Sequence, residues 1–199
     1  MKITNFEEPF ILFDEWFKKA KSNTHIKEPT AMSLATVDKN GKPSLRMVLL
    51  KKYDYEGFCF FTNLTSRKGK ELNLNPHVAL CFYWQDLGYQ IRIEGEVEKT
   101  TAREADEYFA TRHRQSQIGA WASKQSQIIE NENDFIERVK AISEDFKNQE
   151  IVRPPFWSGF RVKPQSIEFW EEGQYRLHKR IHYSKIENQP KWEKSELYP

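Results

Sequence analysis

The chain has 199 residues, with 31 Lys and Arg against 29 Asp and Glu, a formal charge of +2, and a composition that is 14% aromatic and 30% charged. That many aromatic residues argue against an unfolded chain, and the balanced charge argues against a nucleic-acid partner and confines any anion site to a local cluster. The longest apolar run, Val78 to Trp84, is far short of the ~20 residues of a membrane-spanning helix. The first residues carry no signal-peptide stretch, so the expectation is a cytoplasmic protein with no membrane partner.

A chain of this length makes one domain and buries roughly 70% of its unfolded-chain surface. Phe10, Phe13, Trp16 and Phe17 recur at helical spacing and predict a helix over 8–22. Strands follow over 31–37 and 44–51, joined at Asp38-Lys39-Asn40-Gly41, and a third over 58–62 after Asp54-Tyr55-Glu56-Gly57. A short helix starts near Ser66 and stops before Pro76, and strands over 78–84 and 89–98 form a hairpin. Thr101-Ala102-Arg103-Glu104 is a capping box that opens a helix to about 112, and the apolar spacing predicts a longer helix over 127–147. Strands over 157–162, 166–170 and 174–183 complete the chain. Short antiparallel strands with inserted helices predict an α+β fold built on a β-barrel. Cys59 and Cys81 sit in apolar strands and read as buried thiols, too few for a metal site.

Four clusters carry chemistry. In Phe61 to Lys70, Arg67 and Lys68 follow a cap at the start of a helix, where cations oppose the macrodipole unless an anion binds. The alternatives are a phosphate cradle and a solvated basic turn. Tyr108 and Arg112 are one helical turn apart with Ser116 just beyond, either a second phosphate site or a surface pair. If 174–183 is one strand, Arg176, His178, Arg180 and His182 share a face, next to Glu168 and Trp170. The alternative there is an exposed basic edge, and a zinc site on the two histidines is poorly supported by strand spacing. Gly119 to Gln127 offers amides and hydroxyls to a heterocycle edge, or is a polar loop between helices.

Taken together, Glu28 to Met32, Arg46 to Lys51, Phe61 to Leu64 with Ser66-Arg67-Lys68, Ser116 to Trp121, Ser123 to Ser126, Phe156 to Val162, Ile167 to Trp170 and Arg176-Leu177-His178 resemble the FMN-dependent pyridoxine/pyridoxamine 5′-phosphate oxidase family. The resemblance implies an FMN-binding split barrel over 1–199, preceded by a short segment over 1–8 and completed by C-terminal strands over about 156–199. It implies a homodimer with flavin at the subunit interface, and oxidation of pyridoxine or pyridoxamine 5′-phosphate to pyridoxal 5′-phosphate. Oxygen is the implied electron acceptor and hydrogen peroxide the product. Implied flavin contacts are Arg46, Met47, Val48, Leu49, Phe61, Thr62, Arg67, Lys68, Gln90, Gln125, Ser126, Trp170 and Arg180. Implied substrate contacts are Lys51, Tyr108, Arg112, Ser116, Arg176, Leu177 and His178, with Arg176 and His178 catalytic and no metal. The rival reading is a non-catalytic flavin-binding split barrel. Tyr89, Glu28 and Lys179 depart from the residues usual in the family.

Overall fold

The computed structural model describes residues 8–187, 189 and 191–199. The expected N-terminal segment therefore lies almost wholly outside the described residues. Helix α1 (Glu8–Ser22) is followed by strands β1 (Ala31–Val37), β2 (Pro43–Leu49), β3 (Lys52–Asp54) and β4 (Gly57–Asn63), helix α2 (Arg67–Leu74), and strands β5 (His77–Trp84) and β6 (Tyr89–Lys99). Helices α3 (Ala102–Ala110), α4 (Arg114–Ala122) and α5 (Glu132–Asp145) precede strands β7 (Trp157–Glu171), β8 (Lys179–Lys185) and β9 (Trp192–Leu197). The strands form one nine-stranded sheet in the order β2-β1-β5-β6-β7-β4-β3, with β8 on β7 and β9 on β8, and all the pairings are antiparallel. It is the α+β split barrel that the sequence predicts.

The split follows from β7. Its first half pairs with β4, from Trp157 opposite Asn63 to Val162 opposite Phe58. Its second half pairs with β8, from Ser166 to Glu171, while β6 pairs with it from Phe160 to Glu171. The sequence reading divides this strand at Lys163-Pro164. Instead the strand runs through: Glu94 pairs with Ser166 and Gly95 with Pro164, so Gln165 is the extra residue of a bulge in β7 itself, which absorbs the irregularity. A Cβ at Gly95 would stand 2.1 Å from the Lys163 carbonyl oxygen, so only glycine permits that approach.

Strand alternation sends Met32, Leu34, Leu80, Phe82, Ile91, Ile93, Ile167 and Phe169 to one face, where they are buried under α1. Phe10, Phe13 and Phe17 of α1 supply the matching stripe, and Phe13 meets Tyr53, Phe58 and Phe82 edge-on at 4.8–5.5 Å. Tyr89 stacks on Trp16 at 4.0 Å, so this departure from the family pins α1 to β6.

Other expectations fail for local reasons. The helix predicted over 127–147 begins only at Glu132, where the Asn131 side chain accepts from the Asn133 N–H at 2.9 Å. Ile128 is 92% exposed and lies outside it. The polar loop expected over 119–127 is in its first part helix α4, capped by His113 through an imidazole nitrogen that sequence rules do not favour. The strand predicted over 44–51 ends at Leu49, and β9 lies in a polar stretch where no strand was expected. The strand predicted over 174–183 begins at Lys179. Gln174–Arg176 is instead a tight turn with Tyr175 at φ 54° and Arg176 at φ 66°, packed against Gly173, where a Cβ would lie 1.9 Å from the Leu177 carbonyl oxygen. Strand alternation therefore does not align Arg176 with His178, Arg180 and His182.

Phe13 is fully buried at the meeting point of α1 and the sheet. Phe13→Ala is expected to lower unfolding free energy by about 3–5 kcal/mol. Urea unfolding checks this, and a loss below ~1 kcal/mol would contradict the assigned core.

Candidate functional site

Helix α2 starts at the end of β4, where Ser66 accepts from the Gly69 N–H at 3.2 Å and donates to the Asn63 carbonyl at 2.7 Å. This cap places Arg67 and Lys68 in a first turn that contains no acid. The conflict with the helix macrodipole is answered one turn later by Glu71, which is only 5% exposed. Its carboxylate accepts from Arg67 Nε at 2.8 Å, Arg46 Nη2 at 3.1 Å and the Thr36 hydroxyl. Arg46 also donates to Thr36 Oγ1 and to the Leu34 carbonyl. Lys68 Nζ donates to Thr62 Oγ1 at 3.1 Å and to Gln125 Oε1 at 3.0 Å. Burial, and then the charge of Arg46, lower the Lys68 pKa. Three cations against one carboxylate leave a net positive cradle. Neither Glu71 nor Thr36 was anticipated, although Glu71 stands four residues after Arg67, the spacing of a helical ion pair.

Beside this cradle is a cavity of about 720 Å³. Met47, Val48, Leu49 and Lys51 line it from β2 and the residues that follow, Phe61 and Thr62 from β4, and Lys68 from α2. Tyr108, Arg112, His113, Ser116, Gln125 and Trp157 complete its wall. Tyr108 stacks on Phe61 at 4.2 Å, Phe61 on Trp157 at 5.3 Å, and the Arg112 guanidinium lies 4.9 Å from the Trp157 ring centre. Arg112 Nη1 is buried and has no hydrogen-bond partner. Burial lowers the Arg112 pKa, with nearby Tyr108 opposing. A buried guanidinium nitrogen without an acceptor is costly, and an anion in the cavity would relieve it.

The remaining predicted residues lie elsewhere. Gln90, Trp170 and Arg180 are directly opposite one another across β6, β7 and β8. Arg180 Nε donates at 2.8 Å to Glu168, which also accepts from Arg92 Nη1 at 3.2 Å. Glu168 is thus the anion that the basic strand requires. Leu177 and His178 follow the tight turn that ends at Arg176, with the His178 ring 4.5 Å from Trp170 and its Nδ1 accepting from the Gly173 N–H at 3.3 Å. None of these residues is among the described residues lining the cavity. Ser126, at φ 72°, lines a neighbouring hollow of about 590 Å³ with Gln125. A single chain therefore presents two separated halves of the predicted site. Among the described residues no cluster of three or more His, Cys, Asp or Glu could hold a metal, and no helix is long and apolar enough to cross a membrane. Burial raises the Cys59 thiol to about 11, with nearby Arg161 opposing, which leaves it unreactive.

Residues 19–171 match the family model described as pyridoxamine 5′-phosphate oxidase, and residues 157–199 match that of the pyridoxine 5′-phosphate oxidase C-terminal dimerisation region. The chain is 49% identical over 196 residues to a pyridoxine/pyridoxamine 5′-phosphate oxidase of Ehrlichia chaffeensis, covering 97% of this chain and 98% of that protein. It is 47% identical to one of Rhodopseudomonas palustris strain BisB5, covering 98% and 92%. Among solved structures, PhzG from Burkholderia lata 383 in complex with tetrahydrophenazine-1-carboxylic acid is 29% identical with a TM-score of 0.91, covering 98% of this chain and 95% of that one. A pyridoxamine 5′-phosphate oxidase-related, FMN-binding protein of Nostoc punctiforme shares the fold at a TM-score of 0.78 and 15% identity, covering 98% and 100%.

Burial pushes the Glu71 carboxyl up, but hydrogen bonds from Thr36, Arg67 and Arg46 outweigh it and hold its pKa below the usual 4.5. A depressed carboxyl contributes stability above its unfolded pKa and loses it as pH falls through the folded value. Acid unfolding of Glu71→Gln, without added ligand, should therefore show a shallower loss of stability below about pH 4.5 than the parent. Parallel curves would mean that the carboxylate is not held by these partners.

Proposed function

The chain belongs to the pyridoxamine 5′-phosphate oxidase family, and on that premise we propose that it is a homodimeric, FMN-dependent oxidoreductase that converts pyridoxine or pyridoxamine 5′-phosphate to pyridoxal 5′-phosphate. Oxygen is the electron acceptor and hydrogen peroxide the product, with ammonia released from the amine substrate. The whole chain acts as one domain. The observation that carries the reading is the presence of two cationic groups, one for a cofactor phosphate and one for a substrate phosphate. One is the Arg46, Arg67 and Lys68 cradle, and the other is the unpartnered buried nitrogen of Arg112.

The donor set fits FMN. Arg67, Lys68 and Arg46 hold the phosphate through charge-assisted bonds, and Glu71 fixes two of these side chains before it arrives. Thr62 and Gln125 orient Lys68, and Met47 to Leu49 with Phe61, which line the cavity, and Ser126, in the hollow beside it, would border the ring system. Gln90, Trp170 and Arg180 serve the cofactor bound to the second copy, because they lie on the sheet face away from their own core. The dimerisation-region match over 157–199 supports this, since it contains both Trp170 and Arg180. Exposed Leu45 and Met47 of β2, 69% and 60% accessible, give that face apolar area to bury.

FMN, which Arg46, Arg67 and Lys68 would hold by its phosphate, would supply the two-electron oxidant for the reaction. The protein supplies binding and orientation. Lys51, Arg112, Tyr108 and Ser116 hold the substrate phosphate, and the stack of Tyr108 on Phe61 closes the cavity wall against water. His178, steadied by Trp170 and the Gly173 N–H, contacts the 3-hydroxyl of the pyridine ring, and Leu177 lies beside it. Arg176, held in a left-handed turn, reaches over the ring and fixes the position of C4′.

Purified protein should carry a flavin absorption band that bleaches on anaerobic addition of pyridoxine 5′-phosphate and returns with oxygen. A band that persists would leave a flavin carrier, and no band would reject both readings. Arg176→Ala should retain FMN while kcat/KM falls roughly 10- to 100-fold, the scale of one charged contact. Normal oxidation by this variant would remove Arg176 from the site.

A further inference from the structure

The two cationic groups are built on opposite electrostatic plans. In the cradle, Glu71 accepts from both Arg46 and Arg67. Among the described residues no carboxylate pairs with Arg112, although its guanidinium is partly buried and one of its nitrogens is fully sequestered. It lies instead over aromatic faces, 4.9 Å from the centre of Trp157 and 5.6 Å from that of Phe109. A π face attracts a guanidinium without cancelling its charge.

Trp157 is well placed for that work. It is 6% exposed and starts β7 opposite Asn63. Its carbonyl accepts from Arg153 Nη1 at 2.6 Å, and Arg153 Nε donates at 2.6 Å to Asp106 of α3. The same indole therefore touches the guanidinium and carries the Phe61–Tyr108 stack, while the main chain of Trp157 is tied through Arg153 to the helix that bears Tyr108. Phe109 packs edge-on against it at 5.1 Å.

We propose that Trp157 is the positioning residue of the substrate-phosphate site, its ring standing where a carboxylate would otherwise hold Arg112, so that the guanidinium keeps its full charge for a phosphate dianion. This rests on the reading of Arg112 as a phosphate ligand. The arrangement favours phosphorylated substrates by leaving the cation uncompensated until the phosphate enters.

The test uses the FMN-loaded enzyme and three variants, Arg112→Ala, Trp157→Leu and Trp157→Phe, with FMN affinity measured for each. The readouts are KM for pyridoxine 5′-phosphate, kcat, and the inhibition constant of inorganic phosphate. Trp157→Leu should raise KM and the phosphate inhibition constant together by about tenfold, with kcat and FMN affinity much less affected. Trp157→Phe, which keeps a smaller π face, should raise both by roughly threefold. Arg112→Ala with unchanged KM and phosphate inhibition would reject the underlying reading. Arg112→Ala impaired but Trp157→Phe equal to the parent in both constants would overturn the role of Trp157, whether or not Trp157→Leu folds. Equal losses in kcat, FMN affinity and KM in the tryptophan variants would mark a packing defect and also overturn it.

Discussion

Side-chain alternation on a sheet covered on one face constrains everything else in this molecule. Once Ile91, Phe169 and Ile181 turn toward α1 and the core, their neighbours Gln90, Trp170 and Arg180 must point the other way. The same parity turns Met47, Ser33, Cys81, Arg92, Glu168 and His182 outward as one cross-strand row. A face bearing an indole, an arginine locked to a nearly buried glutamate, and exposed Leu45 and Met47 is poorly matched to water. The proposed dimer answers this by bringing that face to a second copy's cavity. Neither half would then need to enclose a flavin alone.

Charge handling separates the two proposed ligands. A cofactor that stays bound suits a cradle held in order by a permanent counter-charge, because Glu71 keeps Arg46 and Arg67 from repelling each other before the phosphate arrives. A substrate that comes and goes suits an uncompensated cation, because its full attraction is available at each encounter. Arg112 over Trp157 and Phe109 has that character. The cost of burying it falls on the rest of the fold, through Trp157, Arg153 and Asp106.

Much of this was legible in the sequence where local physics decides. The capping box at Thr101 and Glu104 forms as written, with Glu104 Oε2 accepting from the Thr101 N–H at 2.9 Å. The aromatic spacing of α1 and the turn at Gly41 also carry through, and α2 starts with Arg67 and Lys68 in its first turn as read. What failed turned on caps, bulges and tight turns that apolar periodicity does not register. Pro164 does not break β7, because a bulge at the next residue, Gln165, lets the strand keep its pairing with β6 on both sides. Ile128 and Ile129 imitate a helical stripe yet precede the cap at Asn131. Arg176 falls outside β8 because Gly173 lets the chain fold back on Leu177. Glu71 and Trp157 were invisible as site residues because their meaning lies in the arginines that the fold brings to them. The family resemblance named the expected ligand residues, and in a single chain they fall into two groups, one lining the cavity and one on β6, β7 and β8.

The central claim is that one flavin site draws on both halves from different copies, and complementation tests it most directly. Chains carrying Arg67→Ala and chains carrying Arg180→Ala would be coexpressed with different tags, and the mixed dimer isolated. In the mixed dimer both defects fall in one site, and the other site is built from unaltered residues. The account predicts that the mixed dimer binds one FMN with parental affinity, while each homodimeric variant binds weakly at both sites. Weak binding at both sites of the mixed dimer would place Arg67 and Arg180 in the same chain's site and contradict the account.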